Sequence, residues 1–193
     1  MMWKTGAVVL VVAVAIASGC FVMSKPAATD PEGETPQDKE ADAARGVGFD
    51  GKRAMGYLEE VCKIGPRISG SEGMKKQQEL IEKHFKGLGA KVSYQRFTAR
   101  QKSARKPVEM ANLIVSYHPG RSRRVILCSH YDTRPIADQE PNTRRWREPF
   151  VSANDGGSGV ALLMELGNHM KDLKTEVGVD FVFFDGEEYI FEP

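Results

Sequence analysis

This sequence of 193 residues has few cysteines, almost no net charge and no visible internal repeat. Of its three cysteines, only Cys62 and Cys128 lie outside an apolar N-terminal run, and two cysteines cannot form the disulfide framework that stabilises small secreted domains. The 27 basic and 26 acidic residues give a net charge of +1, which offers no electrostatic reason to expect nucleic-acid binding. No repeat period is visible, which excludes a solenoid. The remaining composition, 41% hydrophobic and 27% charged, is that of an ordinary globular domain.

The first 23 residues have the layout of an export segment. One lysine, Lys4, precedes an uncharged apolar run from Gly6 to Met23, which is typical of a cleaved secretory signal or a membrane anchor. Within this run Ala17-Ser18-Gly19-Cys20 resembles a bacterial lipoprotein processing site, at which Cys20 would be lipidated. Cleaved signal, lipoprotein signal and membrane anchor therefore remain three alternatives. Each of them predicts an exported domain, in the periplasm or at the cell surface.

A polar segment separates this export segment from the folded part. Residues 24–46 consist largely of Pro, Ala, Thr, Asp, Glu, Gly, Gln and Lys and show no apolar periodicity, which predicts a disordered linker. We therefore expect one folded domain over residues 47–193.

The apolar periodicity of this domain alternates between that of helices and that of strands. The predicted elements are helices over 49–64, 74–88 and 157–170 and strands over 91–98, 111–117, 124–129 and 177–184. This order predicts an α/β fold with three layers, α/β/α, around a mixed, mostly parallel sheet. The strand over 124–129 is almost continuously apolar, so we expect it to be buried on both faces, with Cys128 as a buried hydrophobic residue.

Three polar clusters lie at the ends of these predicted strands or just before a helix. They are His130-Tyr131-Asp132, then Asn154-Asp155 before Gly156-Gly157-Ser158-Gly159, then Asp185-Gly186-Glu187-Glu188. Each cluster alone could be a structural turn. Together they indicate a ligand site, because α/β folds bind ligands at the carboxyl ends of their strands.

The residue types in the clusters suit zinc. Imidazole and carboxylate groups are zinc ligands, and a catalytic zinc keeps an open position beside about three protein ligands. In the adjacent pair Glu187 and Glu188, one carboxylate can bind the metal while its neighbour acts as a general acid or base. Asp132, two residues after His130, can orient the imidazole by accepting a hydrogen bond from its other ring nitrogen.

The three clusters resemble, in order and spacing, those of the M28 family of zinc aminopeptidases and the related glutaminyl-peptide cyclotransferases. The resemblance continues upstream in Gly65-Pro66-Arg67, Gly70-Ser71-Glu72-Gly73 and Ala111-Asn112-Leu113-Ile114. It covers about Phe49 to Pro193, the whole predicted domain.

The resemblance implies a role for each site residue. Asp155 and Glu188 would be zinc ligands, with Asp155 bridging two zinc ions in the aminopeptidases, and Glu187 would be the catalytic acid or base. His130 would bind the second zinc of an aminopeptidase, whereas its equivalent in the single-zinc cyclotransferases is not a ligand. Asp132 would keep its supporting role. The implied cofactor is thus one or two Zn²⁺ ions, and the implied substrates are the N-termini of peptides or proteins.

The sequence departs from the family pattern after the glutamate pair. Family members continue and supply a further Asp and a late His, whereas this sequence ends at Phe191-Glu192-Pro193. The resemblance therefore implies a metal site that is incomplete here, and a fragment or a truncated product. His169, on the last predicted helix, is a poor substitute for the missing ligand.

Three functions remain open at this stage. The segment from Glu188 to Pro193 lacks glycine and resembles the cyclotransferases, which favours formation of N-terminal pyroglutamate. The glycines after Asp155 resemble the aminopeptidases, which is the alternative. The third function is that of a non-catalytic, surface-anchored binding domain that has lost its metal site.

Overall fold

The computed structural model describes residues 48–100 and 106–188. The predicted export segment, residues 1–23, and the predicted linker, residues 24–46, lie outside the described residues. So does the segment 189–193, on which part of the cyclotransferase resemblance depends. None of the described helices combines the length and the apolar composition needed to cross a membrane.

The three described α-helices begin where the sequence offers a polar cap or a glycine. Helix α1 is Gly51–Lys63 and follows Asp50, whose carboxylate accepts the N–H of Arg53 at 2.9 Å. Helix α2 is Glu72–Gly87; it begins two residues before the predicted start because the Ser71 hydroxyl accepts the N–H of Met74 at 3.2 Å. Helix α3 is Ser158–Gly167. All three predicted helices are therefore confirmed, with shifts at their ends.

The four predicted strands are also present. They are β1 Lys91–Ala99, β2 Val108–Tyr117, β3 Arg124–His130 and β4 Gly178–Phe184. Strand β2 begins three residues earlier than predicted because Val108 to Met110 pair with the end of β1.

The strands form one mixed sheet in the order β1-β2-β4-β3. Strand β2 is antiparallel to both β1 and β4, and β3 is parallel to β4. The α/β fold with a mixed sheet is confirmed. The expectation that the sheet is mostly parallel is wrong for the described strands, since one of their three pairings is parallel. The physical reason is connectivity: only β3 and β4 are joined through a helix, α3, and such a crossover is what parallel neighbours need.

The hydrophobic core lies between the helices and one face of the sheet. Alternate residues of β2 and β4 point into it, and Phe85 of α2 stacks on both Phe181 and Phe183 with ring centroids 5.6 and 5.8 Å apart. All three helices contribute buried side chains to the same cluster, including Val61, Ile81 and Leu163. The described helices thus form one layer on one face of the sheet.

The opposite face of the sheet corrects two sequence predictions. Ile126 and Phe184 point to that face and are 51% and 42% exposed, and Cys128 between them is exposed as well. Strand β3 is therefore not buried on both faces within the described part of the protein, and Cys128 is not a core residue. The reason is that no α-helix of the described residues, 48–100 and 106–188, covers this face. The second helical layer of the predicted α/β/α arrangement is therefore not part of the described structure. Cys62 and Cys128 are both unpaired.

A buried carboxylate joins the start of α1 to α3. Glu165 of α3 is fully buried and accepts two hydrogen bonds from Arg53, at 2.7 Å each, and one from the backbone N–H of Asp50 at 3.0 Å. His169 lies 3.1 Å from the same carboxylate. Burial by itself would raise the pKa of Glu165, but these hydrogen bonds outweigh it and hold the pKa at about 2. The carboxylate therefore stays ionised inside the protein and fixes α1 against α3.

We expect Glu165→Gln to lower the free energy of unfolding by about 1.5–3 kcal/mol at neutral pH, since hydrogen bonds to a charged group are lost. Because the pKa of Glu165 is about 2 in the folded protein and about 4.3 in an unfolded polypeptide, its contribution is complete above about pH 5. It decreases as the pH falls from there towards 2. Urea unfolding of both proteins between pH 2.5 and 7 measures this.

The control for this experiment is Glu72→Gln, on the exposed start of α2, which should change stability by less than about 0.5 kcal/mol. A difference between wild type and Glu165→Gln that stays the same at pH 2.5 and pH 7 would contradict the prediction.

Candidate functional site

The parallel pairing of β3 and β4 brings the first and third clusters together. His130, the last residue of β3, lies opposite Phe184, the last residue of β4. The loops that follow these two strands therefore start at neighbouring points of one sheet edge, as expected for a ligand site in an α/β fold.

His130 lies among the carboxylates of all three clusters. Its Nε2 is 3.0 Å from Asp155 Oδ1, and its Nδ1 is 3.6 Å from Asp132 Oδ1 and 3.9 Å from Glu187 Oε2. The separation from Asp132 exceeds that of a good hydrogen bond, so we treat this contact as a charge interaction. Asp132 contributes most to raising the pKa of His130 to about 9, against the opposing effect of burial, and Glu187 and Asp155 add to it. The surroundings of the ring are thus strongly negative, which suits a cation.

Asp132 holds the glutamate pair through the backbone. Its fully buried carboxylate accepts the N–H of Glu187 at 3.2 Å and the N–H of Glu188 at 2.9 Å. We expected Asp132 to support His130, and it does lie beside that ring. Its hydrogen bonds, however, fix the loop after β4 to the loop after β3.

Asp155 approaches His130 through a turn that only glycine permits. The next residue, Gly156, has a φ of 77°, and a Cβ there would lie 3.0 Å from the His130 ring and 3.1 Å from the carbonyl oxygen of Asp132. A larger residue would displace the imidazole. The glycine after Asp155 is thus required by close packing as well as by the turn.

Asp155 and Glu188, the two expected zinc ligands, lie next to each other. Burial raises the pKa of the Glu188 carboxyl to about 7, the nearby Asp155 carboxyl raises it further, and the charge of Arg134 opposes the shift. Two carboxyl groups this close repel each other when both are ionised, unless a cation lies between them. Their proximity is therefore the feature that fits a metal ion.

Arg134 is a site residue that the sequence did not indicate. Its Nε lies 2.9 Å from Glu188 Oε2, and its Nη1 is 2.9 Å from both carboxylate oxygens of Asp138. No motif in the sequence points to it. The one available signal was its position, two residues after Asp132 in the loop that follows β3.

Asp185 belongs to the third cluster but faces away from the others. Its buried carboxylate accepts the Ser69 hydroxyl at 2.6 Å and the N–H of Ala111 at 2.9 Å, and burial raises the pKa of Asp185. It lines an open cleft of about 580 Å³ between the start of α2, the end of β1 and the start of β2, and none of the five predicted site residues lines this cleft. Asp185 therefore anchors its loop and is not part of the predicted metal site.

Two further histidines, His84 in α2 and His169 in the turn after α3, are engaged elsewhere. His169 contacts Glu165, and His84 Nε2 lies 2.9 Å from the carbonyl oxygen of Met164. Neither of these contacts involves a predicted site residue.

The described side chains are of the types that bind zinc, but they do not by themselves form a complete zinc site. Imidazole and carboxylates are among the donors that zinc takes, and Asp155, Glu188 and His130 bring them together. Within residues 48–100 and 106–188, however, no group of three or more His, Cys, Asp or Glu side chains is arranged to hold a metal ion. The roles of Glu187, Asp155, Glu188, His130 and Asp132 stay predictions.

Comparison with known proteins agrees with the motifs. Residues 112–192 match the model of Peptidase family M28. A glutaminyl-peptide cyclotransferase-like protein of Mus musculus is 29% identical over 135 residues, which is 65% of this chain and 33% of that protein.

Solved structures agree as well. Glutaminyl cyclase from Fimbriiglobus ruber is 60% identical with a TM-score of 0.72, over 73% of this chain and 47% of that one. A Zn-dependent exopeptidase from Parabacteroides distasonis is 32% identical with a TM-score of 0.68, over 72% of this chain and 48% of that one. The chain spans about half the length of these structures and about a third of the curated relative. The resemblance indicated by the motifs is confirmed: over the residues matched, this chain is similar to the M28 peptidases and to the glutaminyl-peptide cyclotransferases.

Proposed function

We propose that the protein is a zinc-dependent glutaminyl cyclase, which converts an N-terminal glutamine of a peptide into pyroglutamate and ammonia. The observation that carries the proposal is the arrangement of the glutamate pair. Glu188 lies against Asp155, while the neighbouring Glu187 is 62% exposed, and both backbone amides are held by Asp132. This arrangement supports a role in metal binding for Glu188 and a role towards the substrate for Glu187. The 60% identity to the Fimbriiglobus ruber glutaminyl cyclase favours this reaction over hydrolysis.

In this reaction the α-amine nitrogen of the substrate glutamine attacks the carbonyl carbon of the γ-amide in the same residue. A new bond from the amine nitrogen to that carbon closes the ring, the bond from the carbon to the amide nitrogen breaks, and ammonia leaves. The exposed carboxylate of Glu187 would take the proton from the attacking amine and deliver it to the departing ammonia. Asp155 and Glu188 would hold the zinc ion, which polarises the carbonyl under attack when it is bound.

A zinc aminopeptidase is the second candidate. The similarity to the Parabacteroides distasonis exopeptidase and the glycines after Asp155 favour it. In that reaction Glu187 would take a proton from the water that attacks the first peptide bond, and the first residue would leave as a free amino acid. Both reactions use the same residues, and the difference lies in which nucleophile loses its proton to Glu187.

We also propose that the enzyme works outside the cytoplasm. The support is the apolar run Gly6–Met23 and the lipoprotein-like sequence that ends at Cys20. The intact mass of the protein purified from its own host tests this. A protein that begins with a lipidated Cys20, one that is cleaved nearby and one that is uncleaved and membrane-bound correspond to the three alternatives, and an uncleaved protein in the cytosol would contradict export.

The reaction itself is tested by mass spectrometry of a peptide that begins with glutamine, incubated with the full-length protein and zinc. We expect loss of ammonia from the peptide with no loss of residues. Loss of the whole first residue would establish the aminopeptidase, and an unchanged peptide would favour a non-catalytic domain. The same peptide with an acetylated N-terminus is the control, since neither reaction can use it.

The roles within the glutamate pair are tested by two substitutions. Glu187→Gln should retain zinc and lower turnover by about 10²- to 10⁴-fold, since it removes the proton-transferring group. Asp155→Ala should lose the zinc ion, because it removes one of the two expected ligands. Zinc bound per molecule after dialysis and turnover are measured for both, with Glu148→Gln on an exposed loop as the control. Equal zinc content in the two variants would overturn the assignment of roles.

A further inference from the structure

One short segment outside the three clusters contacts all three of their loops. This bridging segment, residues 65–70, connects α1 to α2 and carries Arg67 and Ser69. The backbone of Arg67 makes two hydrogen bonds with Thr133, directly after Asp132: its N–H donates to the side-chain Oγ1 of Thr133 at 2.9 Å, and its carbonyl oxygen accepts the backbone N–H of Thr133 at 3.2 Å. The bridging segment is thus fixed to the loop after β3.

The side chain of Arg67 holds the loop that carries Asp155. Its Nη1 donates to the carbonyl oxygen of Val151 at 2.7 Å and to that of Gly65 at 2.9 Å, and its Nη2 donates to the carbonyl oxygen of Ser152 at 3.2 Å. Ser152 is where the backbone enters a left-handed turn, with a φ of 52°, three residues before Asp155. The guanidinium therefore fixes the start of the turn that presents Asp155.

The environment of Arg67 is unusual for a structural arginine. The residue is fully buried, its Nε has no hydrogen-bond partner among the described residues, and its guanidinium contacts carbonyl oxygens where a buried arginine usually meets a carboxylate. Burial of the charge lowers the pKa of Arg67. A buried cation in such surroundings costs stability, so a neutral side chain would serve better if filling space were its only role.

The packing around Arg67 leaves the loop little freedom. A Cβ on Gly157 would lie 2.8 Å from the carbonyl oxygen of Ser152 and 3.6 Å from Arg67 Nη2. The guanidinium thus bonds to the loop before Asp155, and the Ser152 carbonyl oxygen that accepts one of its hydrogen bonds leaves no room for a side chain at Gly157 after it. Ser69 holds the loop of the third cluster, because its hydroxyl donates a hydrogen bond to the Asp185 carboxylate, three residues before Glu188.

We propose that Arg67 and Ser69 are positioning residues, which set the separation of Asp155 and Glu188 and thereby the zinc affinity of the site. This inference rests on the proposed function for the presence of zinc. Neither residue touches the expected ligands. Arg67 acts through the carbonyl oxygens of Val151 and Ser152, and Ser69 acts through Asp185.

The first experiment compares zinc affinity, measured by competition with a chelator, in the wild type, Arg67→Met, Arg67→Lys and Ser69→Ala. We expect Arg67→Met to weaken zinc binding about 10- to 100-fold, the range seen when partners of metal ligands are removed. Arg67→Lys keeps the charge and a single donor group, so its zinc affinity should lie between those of the wild type and Arg67→Met. It replaces Arg67→Met if that variant does not fold. Ser69→Ala should also weaken binding.

The matched control is Arg124→Met. Arg124 likewise donates to backbone carbonyl oxygens, those of Tyr117 and His118, but it lies at the start of β3, and His130 lies at the end. Arg124→Met should lower stability, since Arg124 also pairs with Asp180, without changing zinc affinity. If Arg67→Met and Arg124→Met reduce stability equally and neither changes zinc affinity, the positioning role is overturned.

A second measurement separates this inference from the proposed function, because it needs no metal. Amide hydrogen exchange is followed without zinc over 151–157, 185–188 and 113–117, the part of the central strand β2 beyond the amide that donates to Asp185. Arg67→Met should speed exchange in 151–157, and Ser69→Ala should speed it in 185–188, with 113–117 unchanged in both. Equal acceleration everywhere would show a merely structural role. A wild type that binds no zinc would overturn the proposed function, while the exchange pattern would still decide whether these residues hold the loops.

Discussion

The carboxylate of Asp132 accepts hydrogen bonds from the backbone amides of Glu187 and Glu188, and the geometry of the site depends on this contact. It joins the ends of β3 and β4, which the parallel pairing of these strands has already placed side by side. Because Asp132 is fully buried, its charge requires these two donors, and the loop after β4 has little freedom to move away. The glutamate pair is therefore held by its backbone, which leaves the Glu187 side chain exposed.

Buried polar groups in this protein connect elements that are distant in sequence. Glu165 ties α1 to α3, Asp185 ties the loop after β4 to β2, and Arg67 ties the bridging segment to the loop of Asp155. Such groups contribute less to stability than apolar residues of the same size, because each must first lose its hydration. What they add here is a fixed relative position of loops that would otherwise move independently. A site assembled from three loops needs this kind of fixation, since a displacement of about 1 Å can cost a catalytic site much of its activity.

The two faces of the sheet differ in what covers them. The helical face is buried under α1, α2 and α3, whereas the other face exposes Ile126, Cys128 and Phe184. The sequence prediction for β3 was correct about composition, because the strand is apolar on both sides. The burial of β3, however, depends on which elements pack against each of its faces. Within the described part of the protein, helices pack against one face only.

The sequence by itself determined the seven helices and strands, the order of the three clusters and the residue types at the site. These features follow from local properties, namely the apolar periods of helices and strands, the caps at Asp50 and Ser71, and the tendency of polar residues to follow strands. Only the tertiary structure decided that β2 runs antiparallel to β4, that Arg134 contacts Glu188, that His130 lies against Asp155, and that Arg67 holds the turn before Asp155. These contacts join residues that are far apart in sequence, from 25 positions for His130 with Asp155 to 85 for Arg67 with Ser152. Local patterns carry no information about such partners, because they are set by strand pairing and by which buried groups must satisfy one another.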